Sequence, residues 1–139
     1  MQRSMPCLYM RAGTSRGPFL DLRDLPGDRA ARDGVLLRIM GSPDVTQIDG
    51  LGGATSVTSK VVMAQPSQRE GIDVDYVFAQ VIIDKPLVDC RPTCGNMMTG
   101  VGPFAIERGW VEAEDPETTV MVYDVNADAT IETIVKTPE

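Results

Sequence analysis

The chain has 139 residues, enough for one domain or part of a larger protein, and its 42% hydrophobic and 24% charged residues are typical of a folded globular protein. Its 13 Lys and Arg against 20 Asp and Glu give a net charge of −7, which argues against a nucleic-acid or membrane-surface binder, because both partners are anionic. No apolar run approaches the roughly 20 residues that span a bilayer, and no signal-peptide core follows the N-terminus. We therefore expect a cytoplasmic protein.

The residues available for chemistry are restricted, because the sequence has no histidine and only three cysteines, Cys7, Cys90 and Cys94. Without histidine, Ser-His-Asp and Cys-His nucleophilic sites are excluded. The spacing of the cysteines does not match the paired spacing of zinc ligands, so a metal site is not expected. Acid–base chemistry must then come from Lys, Cys, Asp, Glu or Tyr.

The first part of the chain is predicted to alternate short elements with glycine-rich loops. The sequence of residues 5–10 is typical of a strand. Residues 11–17 contain two glycines and two hydroxyl side chains, which indicates a loop. Apolar residues at helical spacing predict a helix over 26–40, followed by a glycine that can end it. A second loop of glycine and hydroxyl residues follows at 49–56.

Two strands are predicted in the middle of the chain. Residues 57–64 are apolar and β-branched, with Lys60 inside the predicted strand. Residues 73–83 alternate, with Val74, Tyr76 and Phe78 on one parity, which predicts a strand with one buried face.

A helix is predicted over residues 94–108. Its apolar residues cover nearly the whole circumference, so we expect it to be buried on all sides. Gly100 and Gly102 would let neighbouring backbone approach, and Pro103 would kink the helix.

The last predicted elements are two strands, 118–125 and 130–137, joined as a hairpin by residues 126–128. Strands outnumber helices, so the predicted fold class is α+β. A buried helix surrounded by mixed or antiparallel strands predicts a barrel or half-barrel around a central helix.

Cys94 is the first candidate for chemistry, because it begins the predicted helix. Backbone N–H groups at a helix start point outward and favour negative charge, so this position suits a carboxylate and would stabilise a thiolate. The alternative is that Cys94 is a small buried hydrophobic residue and the following Gly-Asn an ordinary helix start.

Lys60 is the second candidate. A lysine among apolar strand residues is desolvated, which favours its neutral amine and makes it a usable base. The alternative is a solvent-facing lysine at a sheet edge.

Arg11 and Arg16 flank the first glycine loop and either bind a carboxylate or remain solvated. Cys7 and Cys90 lie beside no glycine loop or helix start, and we interpret both as structural.

Three motifs in order resemble the PrpF family: Met10-Arg-Ala-Gly-Thr-Ser-Arg-Gly17, Gly50-Leu-Gly-Gly-Ala-Thr-Ser-Val-Thr-Ser-Lys60, and Thr93-Cys-Gly-Asn-Met97 with its continuation over 101–109. The resemblance runs over essentially the whole chain, although the family more often has Gly where this chain has Ala12 and Lys where it has Arg16. It implies the diaminopimelate epimerase-like fold, in which two similar domains of strands around a central helix enclose the active site. Family members are more than twice as long, so residues 1–139 would be the N-terminal domain and the second domain would be absent.

The resemblance also implies a function. The activity would be a keto–enol tautomerisation or 1,3-allylic double-bond shift in an unsaturated tricarboxylic acid of aromatic-acid breakdown, without cofactor or metal. The favoured substrate is 4-oxalomesaconate, and 2-methylaconitate and 3-methylitaconate are alternatives. Lys60 and Cys94 would exchange the proton in either direction. The residues expected to bind the carboxylates and the dienolate charge are Arg11, Thr14, Ser15, Ser56, Ser59, Gly95, Asn96 and Met97.

Two interpretations from other classes stay open. A thiol-redox or metal-binding protein would use Cys90 and Cys94, and it predicts a disulfide or a zinc ion between them. A non-catalytic domain would only bind a carboxylate or form a homodimer, and it predicts exposed apolar surface where a second domain would pack.

Overall fold

The computed structural model describes residues 2–139, and within that range its architecture is α+β, as predicted. The strands are β1 (Cys7–Ala12), β2 (Ser15–Asp21), β3 (Lys60–Pro66), β4 (Val74–Val81), β5 (Val88–Asp89), β6 (Glu117–Asp124) and β7 (Ala129–Lys136). The helices are α1 (Arg29–Met40), α2 (Gly95–Met98) and α3 (Val101–Glu107), with 3-10 turns at Leu22–Asp24 and Ser56–Thr58. In the described part of the chain, no helix has the length and hydrophobicity of a membrane-crossing segment.

The strands form one mixed sheet in the order β1-β2-β3-β4-β6-β7. The β2–β3 and β4–β6 pairs are parallel, and the β1–β2, β3–β4 and β6–β7 pairs are antiparallel. One edge of β4 is shared between two partners: β6 pairs with its first residues, Val74–Tyr76, and β5 pairs with Gln80 and Val81 near its end. This arrangement leaves a gap opposite Phe78, between the paired segments of β6 and β5.

Two apolar cores lie on the two faces of the sheet. On one face, α2 and α3 together contact β1, β2, β3, β4, β6 and β7, so the sheet curls around them. Their residues Met97, Val101 and Phe104 are at most 1% exposed. This confirms the predicted half-barrel around a buried helix.

The prediction that β4 has one buried face is wrong. Its residues Val74, Tyr76 and Phe78 do belong to the core around α2 and α3. The residues of the other parity, including Ala79 and Val81, are buried as well, because they lie in the second core with residues of α1. A strand covered on both faces has no polar face, and the sequence of β4 after Asp75 is accordingly almost entirely apolar.

The prediction of a loop at 11–17 is also wrong, because this segment is a tight hairpin. Strand β1 continues to Ala12 and pairs with Ser15 at the start of β2, so only Gly13 and Thr14 form the turn. Gly13 has φ +60°, a conformation that glycine adopts at no steric cost and that two-residue hairpin turns require.

The helix predicted over 94–108 is interrupted at Thr99–Gly100, between α2 and α3. The break lies three to four residues before Pro103, where a proline ring clashes with the preceding carbonyl and lacks the N–H that would bond to it. Side chains rather than backbone approach the two glycines: a Cβ at Gly100 would meet the Phe19 ring, and one at Gly102 would meet Val135.

The strand predicted over 57–64 begins later than expected, at Lys60. Residues 56–58 form a 3-10 turn instead, because Thr55 and Thr58 hydrogen-bond to each other through both side chains and backbone. Such local bonds of hydroxyl side chains compete with strand pairing. Lys60 is therefore the first residue of β3 rather than a residue inside it.

The final hairpin confirms its prediction, and so does helix α1, except that it begins at Arg29 rather than at the predicted residue 26. Asp28 accepts a hydrogen bond from the Ala31 N–H at the start of α1, and Gly41 ends it in the left-handed conformation, with φ 87°. Strands β6 and β7 pair from Glu117 and Lys136 to Asp124 and Ala129.

The turn after β2 provides a test of stability against pH. The buried Asp21 carboxylate accepts bonds from the Arg23 backbone N–H and guanidinium, and the guanidinium holds the pKa of that carboxyl below its ordinary value of 3.8. The unfolded carboxyl binds protons at higher pH than the folded one. The stabilisation that the ionised Asp21 gives to the folded state is therefore complete above pH 3.8 and is lost as the pH falls through the folded pKa.

We expect Asp21→Asn to lower the free energy of unfolding at pH 7 by about 1 kcal/mol. The difference from the parent should shrink below pH 3.8, as urea titrations can measure; a constant difference would contradict this assignment.

Candidate active site

The two residues singled out for acid–base chemistry lie together. Lys60 Nζ and Cys94 Sγ are 3.4 Å apart and form a hydrogen bond, although 34 positions separate them in sequence. Cys94 is 8% exposed and Lys60 is partly buried. At this distance a lysine nitrogen and a thiol can exchange a proton directly.

Cys94 is held by its position at the start of α2. It is the N-cap residue, and its Sγ accepts a bond from the Met97 N–H at 3.5 Å. Its backbone carbonyl accepts a bond from the buried Tyr76 hydroxyl at 3.3 Å. Burial raises the pKa of Tyr76, with smaller contributions from Cys94 and Asp124, so Tyr76 stays a hydrogen-bond donor at neutral pH.

Lys60 is held by an interior strand. Because β3 lies between β2 and β4, the alternative of a solvent-facing lysine at a sheet edge is wrong. Lys60 pairs with Gln80 of β4, and its Nζ lies 5.2 Å from the centre of the Phe78 ring. The ring shields one side of the ammonium and attracts its charge.

The first hairpin contacts the backbone of Lys60 and the side chain of Asn96, two residues after Cys94. A Cβ at Gly17 would clash with the backbone carbonyl of Lys60, so glycine lets β2 lie directly against the start of β3. At the turn, the Asn96 side chain donates to the Thr14 hydroxyl at 2.9 Å, and a Cβ at Gly13 would overlap Asn96. The three motifs singled out in the sequence therefore meet at one site.

Two like charges face each other on this hairpin. Arg11 and Arg16 are directly opposite in the β1–β2 ladder, and both side chains are exposed. Arg11 Nε donates to the Gly13 carbonyl at 3.0 Å, which ties its guanidinium to the turn. Like charges opposite each other destabilise a strand pair unless an anion lies between them.

The predicted binding residues fall into two groups. Those exposed to solvent are Arg11, Thr14, Ser56, Gly95 and Asn96, and those buried are Ser15, Ser59 and Met97. Within the buried group, the Ser59 hydroxyl donates to the Val81 carbonyl at 2.6 Å and accepts from Gln47 at 2.7 Å. The Met97 N–H is used by Cys94. Only the first group presents polar atoms at the surface.

The other two cysteines do not share the environment of Cys94. All three lie in the described residues and are free thiols, with Cys7 exposed and Cys90 half-buried. Burial raises the pKa of the Cys90 thiol, which disfavours its thiolate. The structure therefore gives no support to a Cys90–Cys94 disulfide.

Sequence reasoning missed two residues beside the site, Asp124 and Asn126. Asp124 is 2% exposed and accepts a bond from the Thr93 hydroxyl, next to Cys94. Asn126 bonds to three backbone carbonyls and one N–H in β4 and the loop before Cys94. Asn126 and its neighbours looked like ordinary hairpin-turn residues, and no sequence signal separates an asparagine that bonds outside its turn from one that bonds within it.

The fold and this site define an α+β domain of epimerase-like architecture with a lysine–cysteine pair beside its central helix. A structure of a hydroxyproline epimerase from Agrobacterium vitis matches 97% of this chain with a TM-score of 0.62 at 16% identity, which confirms the fold. The family model described as "PrpF protein" matches residues 2–139. The chain belongs to the PrpF family.

Relatives with higher identity are similar over nearly the whole chain. A (4E)-oxalomesaconate Delta-isomerase of Novosphingobium sp. is 52% identical over 135 residues, covering 97% of this chain and 38% of its own. A 4-oxalomesaconate tautomerase of Pseudomonas putida is 53% identical over 125 residues, covering 90% of this chain and 35% of its own. A crystal structure of a methylitaconate-delta-isomerase matches 97% of this chain and 35% of its own, with a TM-score of 0.94 and 49% identity. The chain therefore spans little more than a third of the length of these relatives.

Proposed function

We propose that this chain carries the acid–base pair of a cofactor-independent isomerase that moves a proton in an unsaturated tricarboxylic acid. The observation that carries the proposal is the 3.4 Å contact between Lys60 Nζ and Cys94 Sγ. An isomerase of this kind must remove a proton from one carbon and return one elsewhere, and two adjacent groups that share a proton supply both functions.

The proposed reaction begins when one member of the pair takes a proton from a carbon next to a carbonyl or a carboxyl-substituted double bond. The C–H electron pair then delocalises over the unsaturated system as a dienolate. The other member returns a proton, to the oxygen in a keto–enol tautomerisation or to the far carbon in a 1,3-allylic shift. The pair regains its starting state by passing a proton across the Lys60–Cys94 contact, so no oxidant, metal or cofactor enters the balance.

The exposed residues of the three motifs are the proposed binding site for the carboxylates. Arg11 and Arg16 present two guanidinium groups from opposite strands, and an anion between them would remove their mutual repulsion. Thr14, Ser56, Gly95 and Asn96 add hydroxyl, amide and backbone donors nearby, which would stabilise the developing dienolate charge. We assign the buried Ser15, Ser59 and Met97 to holding these elements in place rather than to substrate contact.

The proposed substrate is 4-oxalomesaconate, and the identity to relatives named for that compound supports it. The alternatives are 2-methylaconitate and 3-methylitaconate, the second supported by the structural match. The corresponding place in metabolism is the breakdown of aromatic acids. A cytoplasmic location agrees with three free thiols, since reducing compartments keep thiols unpaired.

A second candidate function is that this domain binds carboxylates but catalyses only together with a further domain. The length of the relatives supports it, and so do exposed apolar side chains in the segment that leads to Lys60. Val45 is 72% exposed, Ile48 69%, Leu51 48% and Val57 42%. Exposed apolar side chains of this kind are what a second domain would cover.

Proton NMR in D₂O tests both candidates. We expect 4-oxalomesaconate to gain deuterium in its carbon skeleton faster with the protein than in buffer. Incorporation by the 139-residue chain alone would assign catalysis to this domain. Incorporation only by the protein in the full length that its gene encodes would favour the two-domain version. No incorporation by either form, with any of the three substrates, would refute the proposed isomerase.

A further inference from the structure

The gap along the edge of β4 is filled by a side chain. Strand β6 pairs with β4 as far as Tyr76, and β5 begins to pair at Gln80, so within residues 2–139 no strand pairs with Phe78 on this edge. The Asn126 amide takes the place of a strand there: its Oδ1 accepts from the Phe78 N–H at 2.9 Å, and its Nδ2 donates to the Phe78 carbonyl at 2.8 Å. The buried backbone of Phe78 is satisfied in this way.

The same Asn126 amide also holds the loop that carries Cys94. Nδ2 donates to the carbonyls of Cys90 at 2.6 Å and Pro92 at 2.7 Å. Two N–H groups therefore serve three carbonyls. At its far end, the loop is tied by the Thr93 hydroxyl to the buried Asp124, two residues before Asn126.

Phe78 is thus connected to both members of the acid–base pair. Its backbone is joined through Asn126 to the loop that ends at Cys94, and its ring lies 5.2 Å from Lys60 Nζ. A shift of the loop relative to β4 would change the distance between Cys94 Sγ and Lys60 Nζ directly.

We infer that Asn126 is a positioning residue that sets the Lys60–Cys94 contact by tying the 90–93 loop to β4. The importance of this contact for turnover rests on the function proposed above. The coupling of Asn126 to the contact itself does not, because it can be measured without substrate.

The substrate-free test is alkylation of Cys94 by iodoacetamide, with Cys7 and Cys90 replaced by Ser. The readout is the ratio of the rate at pH 7 to the rate at pH 9.5. Loosening of the loop raises both rates through exposure, whereas loss of the Lys60 ammonium beside the thiol lowers the ratio, because it disfavours the thiolate at pH 7. The ratio therefore separates positioning from general loosening.

We expect Asn126→Asp to lower this ratio by at least about threefold, since a carboxylate keeps the acceptor for Phe78 but cannot donate to the three carbonyls. Lys60→Met should lower the ratio to a similar extent. Adding Asn126→Asp to Lys60→Met should then cause no further fall, because both changes act on one contact. In the full-length protein, kcat of Asn126→Asp should fall about tenfold or more with a smaller change in KM.

Asp128→Asn is the matched control. It lies in the same turn and accepts a bond from the Tyr123 hydroxyl, and asparagine tolerates its φ of 50°. Its ratio and kcat should equal those of the parent. If thermal melting shows that Asn126→Asp does not fold, Asn126→Ser replaces it in the same measurements.

Several results would overturn the inference. A normal ratio in a folded Asn126 variant would leave Asn126 with only a structural role. If adding Asn126→Asp to Lys60→Met lowered the alkylation ratio further, Asn126 would likewise have only a structural role. An inactive parent protein with an altered ratio in the Asn126 variant would instead refute the proposed isomerase while the positioning of Cys94 by Asn126 stood.

Discussion

Replacing Lys60 by methionine should lower kcat by at least about 100-fold in the full-length protein, because general acid–base groups contribute rate factors of this size. Methionine keeps an unbranched side chain that can lie over the Phe78 ring, but it has no group that binds or releases a proton. KM should change less, since the exposed carboxylate-binding residues are untouched. The rate of isomerisation, followed by NMR at saturating substrate, measures the effect.

Cys94→Ser should cause a loss of the same order. Serine is a good N-cap residue and can still accept the Met97 N–H, so the start of α2 should be preserved. Its hydroxyl does not ionise near neutral pH, and it cannot exchange a proton with Lys60 as a thiol does. Because the two residues act as one unit, the double variant should be little worse than either single variant. Fully additive losses would mean that they act independently.

The other cysteines supply the controls for this prediction. Cys7→Ser and Cys90→Ser should keep nearly normal turnover, because Cys7 is exposed on β1 and the Cys90 thiolate is disfavoured by burial. A large loss in either would show that the wrong thiol has been assigned. Near-normal activity in Lys60→Met or Cys94→Ser would remove that residue from the mechanism.

The fold could be predicted where local chemistry decides it. The glycine that ends α1 and the burial of Val74, Tyr76 and Phe78 on one face of β4 follow from local signals, and the sequence predicts both correctly. The failures came where tertiary packing or a single residue decides. The second buried face of β4 depends on where α1 packs, and the hairpin at Gly13 depends on one positive φ. Neither is encoded in the periodicity of the segment itself.

The site shows the same division. Lys60 and Cys94 were each recognisable, one as a lysine among apolar residues and the other as a cysteine before Gly-Asn. Their 3.4 Å contact joins the first residue of β3 to the N-cap of α2, 34 positions apart, and does not follow from either sequence context. The Ser59 hydroxyl resembled a binding group, but the chain uses it internally. Asn126 shows the reverse case, since its bonds reach 48 positions back to Phe78.

The first hairpin couples the stability of the fold to the geometry of the site, and Gly17→Ala tests this coupling. Its Cβ would clash with the Lys60 carbonyl, a backbone atom between two paired strands that cannot turn away as a flexible side chain can. We expect the free energy of unfolding to fall by about 3 kcal/mol, at the upper end of the usual cost of overpacking. Urea titration followed by circular dichroism measures this change.

Gly34→Ala is the matched control, because it makes the same chemical change where, beyond the neighbouring residues and the backbone of α1 itself, no described atom lies within 4 Å of the added Cβ. In the interior of α1, alanine should stabilise the protein by up to about 1 kcal/mol. The folded fraction of Gly17→Ala should also show a lower Cys94 alkylation ratio, because a displaced Lys60 backbone moves Nζ away from Sγ. If Gly17→Ala were as stable as the parent, with an unchanged ratio, β2 would not fix Lys60, and the first motif would act only through its exposed arginines and hydroxyl.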